Sequence, residues 1–310
     1  MYNMNRFYEL ISALQKSIRW CEVNESRYFA QGLMDMGKPG AVFNRLILIA
    51  AEDVGLADPS LITYERQCLD SFENLIKKCK IKKSEAVKFP KACDVVDRAV
   101  IAAAISHKSR LLPMLSFTTL FDIYQNEGFS QDLPKYLDLF AEAVERRDEE
   151  KALYYAYIVG IFLNSKDRIL KMIESQSERR NIELVCKWAQ EYKRYNELLV
   201  LAGSVVLLCR DFPYTHGEDK NAISQHLSIP IKEAVIPDRA YDRHTAAGKR
   251  MGRGFKHFFK KAASLKNERF PNNWKEAGRN AYFLADQKGL GKASKIIEAI
   301  KERYEKYKKL

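Results

Sequence analysis

The stretch AVFNRLILIAAEDVGLADPS, residues 41–60, is the part of the sequence that decides the fold. Its first part is mostly apolar and ends at Gly55, a residue that opposes helix continuation. The pattern predicts a largely buried helix that closes at this glycine. The following LADPSL predicts a turn, and we expect Asp58 and Pro59 to start the next helix, because aspartate caps helices and proline suits their first turn.

Apolar residues at helical spacing recur along the rest of the chain. Residues 5–20 carry apolar side chains at steps of three and four, and PKACDVVDRAVIAAAISHKS, 90–109, forms an alanine-rich helical pattern. LLVLAGSVVLLC, 198–209, is too short to span a bilayer and predicts a buried helix. Alternating runs bounded by hairpin turns do not occur, so the predicted fold class is all-α, a bundle of many helices.

The positive charge is concentrated at one end of the sequence. The 310 residues carry a formal net charge of +12, and residues 231–310 hold 21 Lys and Arg against 9 Asp and Glu. The excess of +12 therefore lies entirely in this C-terminal part, and residues 1–230 are balanced. Such segregation is typical of a protein body that carries a segment for binding a polyanion, although a merely soluble basic surface is the alternative.

Changes in composition suggest three regions. We expect a helical domain over residues 1–210, with a linker or irregular crossing over 211–237, where three prolines and several turn formers gather. A basic helical module is expected over 238–310. Its last part carries apolar residues on one helical face and lysines on the other.

The six cysteines do not suggest a metal site. No Cys-x-x-Cys pair occurs, so we expect no metal, no cofactor, and reduced thiols that are mostly buried. The N-terminus has no basic segment followed by an apolar run, as a signal peptide would have. We expect a cytoplasmic protein, or a nuclear one in a eukaryotic host, without membrane contact.

Three segments carry a family resemblance: FYELISALQKSIR (7–19), RLILIAAEDVGLADPSL (45–61) and DRAVIAAAISHKS (97–109). They resemble the C-terminal part of the RarA/MgsA/Werner-helicase-interacting ATPases, which are clamp-loader-like AAA+ proteins. IPDRAYDRHTAAGKRMGRG, 236–254, is similar to a further stretch of that group. The resemblance implies an all-helical oligomerisation collar, tetramers, and work on DNA at stalled replication forks.

The sequence also departs from this family. No G-x-x-x-x-G-K-[ST] pattern occurs, and KGLGKAS at 288–294 lacks the first glycine at the right spacing. We therefore expect no ATPase activity from this chain. WCEVNE, 20–25, replaces the family's usual small-residue and acidic motif. The chain is either a stand-alone collar and DNA-binding protein or a part cut at a domain boundary, and Met1 favours the first.

The best candidate site is a cluster of basic residues after residue 240. Arg and Lys supply counter-charge to phosphates, and glycines 248, 252 and 254 would let backbone N–H groups approach them. The neighbouring phenylalanines 255, 258 and 259 could stack on bases, but their helical spacing favours a core face. Base-specific readout is not indicated. The candidate DNA-binding residues are Arg243, His244, Lys249, Arg250, Arg253, Lys256, Lys260 and Lys261.

Weaker candidates and other function classes stay open. Lys108 and Arg110 could touch a ligand, but a cation after a helix more often serves the helix dipole. His244 with Asp238 and Asp242 could form the acid/base group of a DNA-processing hydrolase, since residues four apart share a helix face. We expect a DNA-binding homo-oligomer that acts with a separate ATPase, a polymerase or a single-strand-binding protein. A protein-interaction scaffold is the alternative.

Overall fold

A computed structural model describes residues 4–126, 130–180, 182–195, 198–210, 220–269 and 274–307. The all-α prediction is confirmed, since these residues form helices joined by short turns. The one β-type pairing among them is an isolated bridge between Lys108 and Glu268. None of the described helices is long and apolar enough to cross a membrane.

The chain divides into two compact units, and each is discontinuous in sequence. Unit 1 contains residues 1–109 and 214–270, and unit 2 contains residues 110–213 and 271–310. The contiguous regions predicted from composition, 1–210, 211–237 and 238–310, therefore do not coincide with these units. Composition follows the order of the chain, whereas compact units follow contacts, and residues 238–269 make theirs with the N-terminal helices.

Unit 1 is built on four helices of the N-terminal segment that pack around a fifth, Pro90–Ile105, whose alanine side chains let neighbouring helices approach. Ile18, Phe29, Phe43 and Val100 are completely buried in its core. Three shorter helices from the later part of the chain complete the unit. Its helices are α1 Met4–Arg19, α2 Val23–Asp35, α3 Pro39–Ile49, α4 Leu61–Lys78, α5 Pro90–Ile105, α12 Lys220–Leu227, α13 Ala246–Arg250 and α14 Phe255–His257.

The stretch 41–60 folds largely as predicted. α3 is buried, continues into a π-helical turn at 50–54, and ends at Gly55, whose φ of +51° suits glycine. The predicted role of Asp58 is wrong, because Ser60 precedes α4 and no side chain caps that helix. Asp58 is buried instead and accepts hydrogen bonds from Ser60 Oγ (2.7 Å) and Ser106 Oγ (3.0 Å). It ties the turn to the end of α5.

Unit 2 is a second helical bundle. The predicted buried helix over 198–209 is confirmed, since most of its side chains are inaccessible to solvent. Gly203 allows it to lie close to Trp188, because a Cβ at that position would come within 2.0 Å of the indole ring. Its helices are α6 Leu111–Gln125, α7 Leu133–Glu145, α8 Glu149–Tyr157, α9 Lys166–Arg180, α10 Glu183–Tyr195, α11 Leu198–Cys209, α15 Trp274–Gln287 and α16 Ala293–Tyr307.

All six cysteines are free thiols, as expected. Cys68 and Cys209 are buried, whereas Cys79 is exposed and the other three are half-buried. The expectation that most thiols are buried is therefore wrong. Among the described residues, no group of three or more His, Cys, Asp or Glu side chains is placed to hold a metal ion.

Candidate nucleic-acid interface

The basic residues 243–261 are held on unit 1 by a buried ion pair. Lys16 Nζ of α1 lies 2.7 Å from Asp242 Oδ2, and both side chains are almost completely buried. Burial lowers the pKa of the Lys16 ammonium, and its attraction to Asp242 opposes that effect. Burial would raise the pKa of Asp242, but the ammonium beside it holds this pKa below its usual value. The pair fixes the start of the basic segment to α1.

A second buried cation of α1 holds the other end of the segment. Arg19 donates to Asp53 Oδ1 at 2.8 Å and to Oδ2 at 3.0 Å, and its other terminal nitrogen donates to the carbonyl of Ala262. A guanidinium that spans a carboxylate and a distant carbonyl leaves little freedom to either. Residues at both ends of 243–261 are thus tied to one helix.

Further polar contacts support the same attachment. Ser12 Oγ donates to the carbonyl of Ala240 at 2.6 Å, and Arg239 forms an ion pair with Glu22 while lying over the Trp20 ring. Earlier in the chain, Arg27 donates to the carbonyls of His226 and Ile229. The connection between α12 and the basic segment is therefore held by side chains of α1 and α2 at several points.

The aspartates proposed for a hydrolase do not form one group. Only residues 238–240 are helical, as a short 3₁₀ turn, so Asp238 and Asp242 do not share a helix face and that prediction is wrong. Asp242 is buried against Lys16, whereas Asp238 is exposed and pairs with Arg253. Each carboxylate is used in a separate structural contact, and Asp242 meets His244 through the backbone N–H of His244, which donates to Asp242 Oδ1 at 2.8 Å.

Two of the three glycines of the segment, Gly248 and Gly252, have structural roles. A Cβ at Gly248 would lie 1.9 Å from the carbonyl oxygen of Asp242, so no larger residue fits there. The amide of Gly248 donates to Thr245 Oγ1 at 3.0 Å, and the Thr245 side chain thereby caps α13. The amide of Gly252, which has φ +67°, donates to the carbonyl of Lys249. These two amides are therefore occupied within the fold rather than directed at a ligand.

The eight candidate residues fall into two groups. Arg253 donates to the carbonyls of Asp238 and Tyr241, both at 2.6 Å, and so holds the loop together. The Arg243 guanidinium is half-buried over the Phe255 ring, 3.2 Å from its centroid. The exposed members are His244, Lys249, Arg250, Lys256, Lys260 and Lys261.

The prediction that the phenylalanines form a core face is confirmed. Phe255, Phe258 and Phe259 are all buried, and they contact one another. The edge of the His244 ring meets Phe258 at 5.0 Å between centroids. The aromatic residues thus fix the inner side of the segment and leave its cations outside.

Lys108 serves a helix end rather than a ligand. Its side chain is completely buried, and Nζ donates to the carbonyls of Ala103 (3.0 Å), Ala104 (3.1 Å) and Ser106. This is the dipole role that the sequence favoured. Burial lowers the pKa of the ammonium. Arg110, the second member of that candidate pair, is buried as well.

A cleft of about 480 Å³ opens on unit 1 between α1 and residues 244–258. Its walls include Tyr8, Ile11 and Phe258, and its lining also contains Arg45, Glu52 and Arg250. Gln15 organises the polar part, since it donates to Glu52 at 3.0 Å and to Asp53 at 2.9 Å and accepts from Arg45 at 3.2 Å. A mostly apolar cleft with a few fixed polar groups is typical of a binding site.

Sequence reasoning missed this cleft and the buried cations that support it. QKSIR, 15–19, places Gln15 and Arg19 four residues apart on a helix face that also carries apolar residues. Two long polar side chains on a buried face were the available signal. The partners of Gln15 and Arg19 lie as far along the chain as Arg45 and Ala262, and the spacing of residues in the sequence does not reveal them.

Comparisons with known proteins find similarity in the N-terminal half of the chain. Residues 21–158 match the family described as MgsA AAA+ ATPase C terminal. The Replication-associated recombination protein A of Bacillus subtilis is 32% identical over 130 residues, 42% of this chain and 28% of that protein. Its Haemophilus influenzae namesake is 42% identical over 72 residues, which cover 23% of this chain and 16% of that protein. ATPase WRNIP1 of Dictyostelium discoideum is 42% identical over 57 residues, 18% of this chain and 6% of its own.

The matched segment spans less than a third of the length of each of these relatives. No solved structure matches the chain significantly. The resemblance that the sequence indicated is nevertheless confirmed for residues 21–158, which contain α2 to α5 of unit 1 and α6 to α8 of unit 2.

Proposed function

We propose that this chain, which carries a C-terminal region of the RarA/MgsA family of replication-recombination proteins, binds DNA phosphates through residues 243–261. One observation carries the proposal: this segment holds seven Lys and Arg and no Asp or Glu. Five of the seven, Lys249, Arg250, Lys256, Lys260 and Lys261, are exposed. They stand on a backbone that is tied to α1 at both ends.

A fixed array of cations favours binding to a polyanion. Each phosphate that a Lys or Arg neutralises releases condensed counterions, and the affinity then falls steeply as salt is added. Because the segment is already held by Lys16 and Arg19, ordering it on DNA costs little conformational entropy. Lysines and an arginine on short helices and turns give no pattern for reading base edges, so the binding is independent of DNA sequence.

Oligomerisation is the second part of the proposal. The family resemblance implies a collar that assembles as a tetramer, and the names of the relatives associate them with recombination and, for the Dictyostelium protein, with ATPase activity. We therefore propose a homo-oligomer that acts on DNA with an ATPase, a polymerase or a single-strand-binding protein. Light scattering coupled to size-exclusion chromatography gives the oligomer number, and a monomer at micromolar concentration contradicts the tetramer.

The DNA proposal is tested by fluorescence anisotropy with labelled single-stranded and duplex DNA over a range of salt concentrations. The test variant replaces Lys249, Arg250 and Lys256 by alanine, because all three are exposed and none holds the loop together. The matched control replaces Lys292, Lys295 and Lys301, three exposed lysines at or in α16. Arg253 is left intact, since its loss would disturb the loop.

We expect the test variant to lower the slope of log affinity against log salt by roughly two to three units, about one for each phosphate that no longer has a cation beside it. The control variant is expected to change the slope by less than one unit. If the wild-type protein binds neither DNA near physiological salt, the proposal fails. A defined oligomer without DNA binding would support a protein-interaction scaffold instead.

A further inference from the structure

The cleft beside the basic segment has an apolar wall and a group of fixed polar side chains that the phosphate contacts proposed above do not use. It lies between α1 and residues 244–258, and its lining includes His244 and Arg250, two exposed members of the basic segment. A polynucleotide whose phosphates follow 243–261 would therefore pass the mouth of this cleft. The basic segment and the cleft share these side chains, and both belong to unit 1.

The walls of the cleft suit a flat aromatic group. Tyr8 lines the cleft, yet 56% of its surface is exposed, and its ring meets Phe7 edge-on at 5.3 Å between centroids. Ile11 and Phe258 are buried side chains that form apolar wall on the inner side. An exposed tyrosine face is a platform on which a planar ring can stack, and every nucleobase offers such a face.

The polar part of the cleft carries both kinds of hydrogen-bonding group. The Gln15 amide forms hydrogen bonds with Glu52, Asp53 and Arg45. These bonds fix the orientation of the amide and of the three side chains that it contacts. Glu52 keeps 21% of its side chain exposed and supplies carboxylate acceptors, while Arg45 supplies guanidinium donors. The Watson–Crick edge of a base likewise presents donors and acceptors side by side. A bare phosphate would use cations of the lining such as Arg45 and Arg250, but neither the apolar wall nor the carboxylate acceptors of Glu52.

We infer that this cleft receives an unpaired nucleobase from a single strand whose phosphates lie on residues 243–261. The inference rests on the proposed DNA binding and adds a preference to it. A base within a duplex is stacked and paired and cannot enter, so occupancy of the cleft requires single-stranded DNA. The stacking partner is Tyr8, and the fixed polar group contains Gln15, Arg45 and Glu52.

The experiment compares two oligonucleotides of equal length, one of thymidine nucleotides and one with abasic sites throughout, by anisotropy at constant salt. Both carry the same phosphates, and only the first carries bases. The test variant is Tyr8→Ala, and Tyr8→Phe keeps the ring. Met4→Ala is the matched control, because Met4 is equally exposed on α1 and does not line the cleft.

For the wild-type protein we expect about tenfold tighter binding of the oligothymidylate than of the abasic strand, the size of one base–aromatic stack. Tyr8→Ala is expected to abolish this preference without changing affinity for the abasic strand, whereas Tyr8→Phe and Met4→Ala preserve it. A 2-aminopurine placed in the bound strand is expected to lose fluorescence with the wild type and to keep it with Tyr8→Ala.

The outcomes separate the inference from the proposal beneath it. If the protein binds neither oligonucleotide, DNA binding by residues 243–261 fails. If it binds both equally, or if Tyr8→Ala weakens both by the same factor, the cleft takes no base and the phosphate proposal stands alone.

Discussion

Residues 243–261 and helix α16 both belong to the basic C-terminal part of the sequence, but they are built differently. The first carries seven Lys and Arg without any Asp or Glu, whereas α16 carries four basic and three acidic residues. The basic segment belongs to unit 1 and is held by buried polar side chains of α1 together with its own three buried phenylalanines. α16 belongs to unit 2 and is held by apolar residues such as Ile296 and Ile300, which are buried.

The difference teaches that net charge does not define a module. Counting charges joined the two segments into one basic region, although they fold into different units. An amphipathic helix with interleaved charges is a normal solvated face. Burying the Lys16–Asp242 ion pair costs desolvation free energy, which the attraction between the two charges offsets. In return, the pair fixes the position of the basic segment on α1.

Lys16→Met gives the largest expected effect on this comparison. It leaves the Asp242 carboxylate buried without its cation, so we expect a loss of about 3–5 kcal/mol in the free energy of unfolding. Urea denaturation measures the change. The double variant Lys16→Met with Asp242→Leu removes both charges and is expected to recover most of the loss. If the single variant costs less than about 1 kcal/mol, the pair does not anchor the segment.

Ile296→Ala is the corresponding test for α16. Removing a completely buried side chain leaves a cavity, and we expect a loss of about 2–5 kcal/mol. Because no charge is involved, this loss should be the same at pH 4 and pH 7, whereas the effect of Lys16→Met should shrink at acid pH. Urea titrations at the two pH values, with Lys295→Ala on the exposed face as control, check the contrast.

Gly248→Ala and Gly252→Ala sharpen the contrast within the basic segment. The first places a Cβ 1.9 Å from the Asp242 carbonyl, so we expect about 3 kcal/mol or more of destabilisation. The second meets no neighbouring atom and should cost only roughly 1–2 kcal/mol, for its φ of +67°. Thermal unfolding ranks the two, and equal losses would mean that the approach of Gly248 to Asp242 is not required.

Two buried carboxyls, Asp242 and Glu65, give the free energy of unfolding opposite dependences on pH. We expect this effect to be the smallest of those described. The pKa of Asp242 is held below its ordinary 3.8, so its contribution to stability is present above that value and is lost as the pH falls through the lowered pKa. Glu65 of α4 is completely buried, and neither carboxyl oxygen has a hydrogen-bond partner among the described residues.

Burial raises the pKa of Glu65 well above 4.5, so its contribution is present below that value and is lost as the pH rises through the raised pKa. We therefore expect Glu65→Gln to reduce the loss of stability between pH 5 and pH 8, whereas Asp242→Asn should reduce the loss between pH 5 and pH 3. Urea unfolding across both intervals measures this, and an unchanged upper interval in Glu65→Gln would contradict the assignment.

The helical fold could be predicted from sequence because it rests on local patterns. The apolar run before Gly55, the alanine-rich α5 and the apolar stretch of α11 each bury a face or a whole helix, and spacing alone shows this. The core role of Phe255 and Phe258 followed from the same rule. Local rules gave the elements and the side of each that faces inward.

The candidate site could be predicted only in part. Exposure of Lys249 and Arg250 follows from charge, but the structural use of Arg253 depends on Asp238, fifteen residues away. The role of Asp242 depends on Lys16, on a helix at the other end of the chain. The periodicity of a sequence does not indicate a partner at such a distance. The sequence pattern therefore assigned Asp242 to a group with its near neighbours Asp238 and His244, and it did not predict the cleft that α1 forms with this segment.

The interleaving of the two units also constrains the order in which a growing chain can fold. Arg19 and its acceptor at Ala262 are 243 residues apart, so at about 5–20 residues per second a ribosome separates them by on the order of ten to fifty seconds. During that interval α1 and α2 have their apolar faces but lack Ala240, Asp242 and His226, whose polar atoms contact Ser12, Lys16 and Arg27 in the folded unit. Unit 1 can therefore be completed only after most of unit 2 has been synthesised. The polar contacts of α1 and α2 with residues 226–262 form last, late in synthesis.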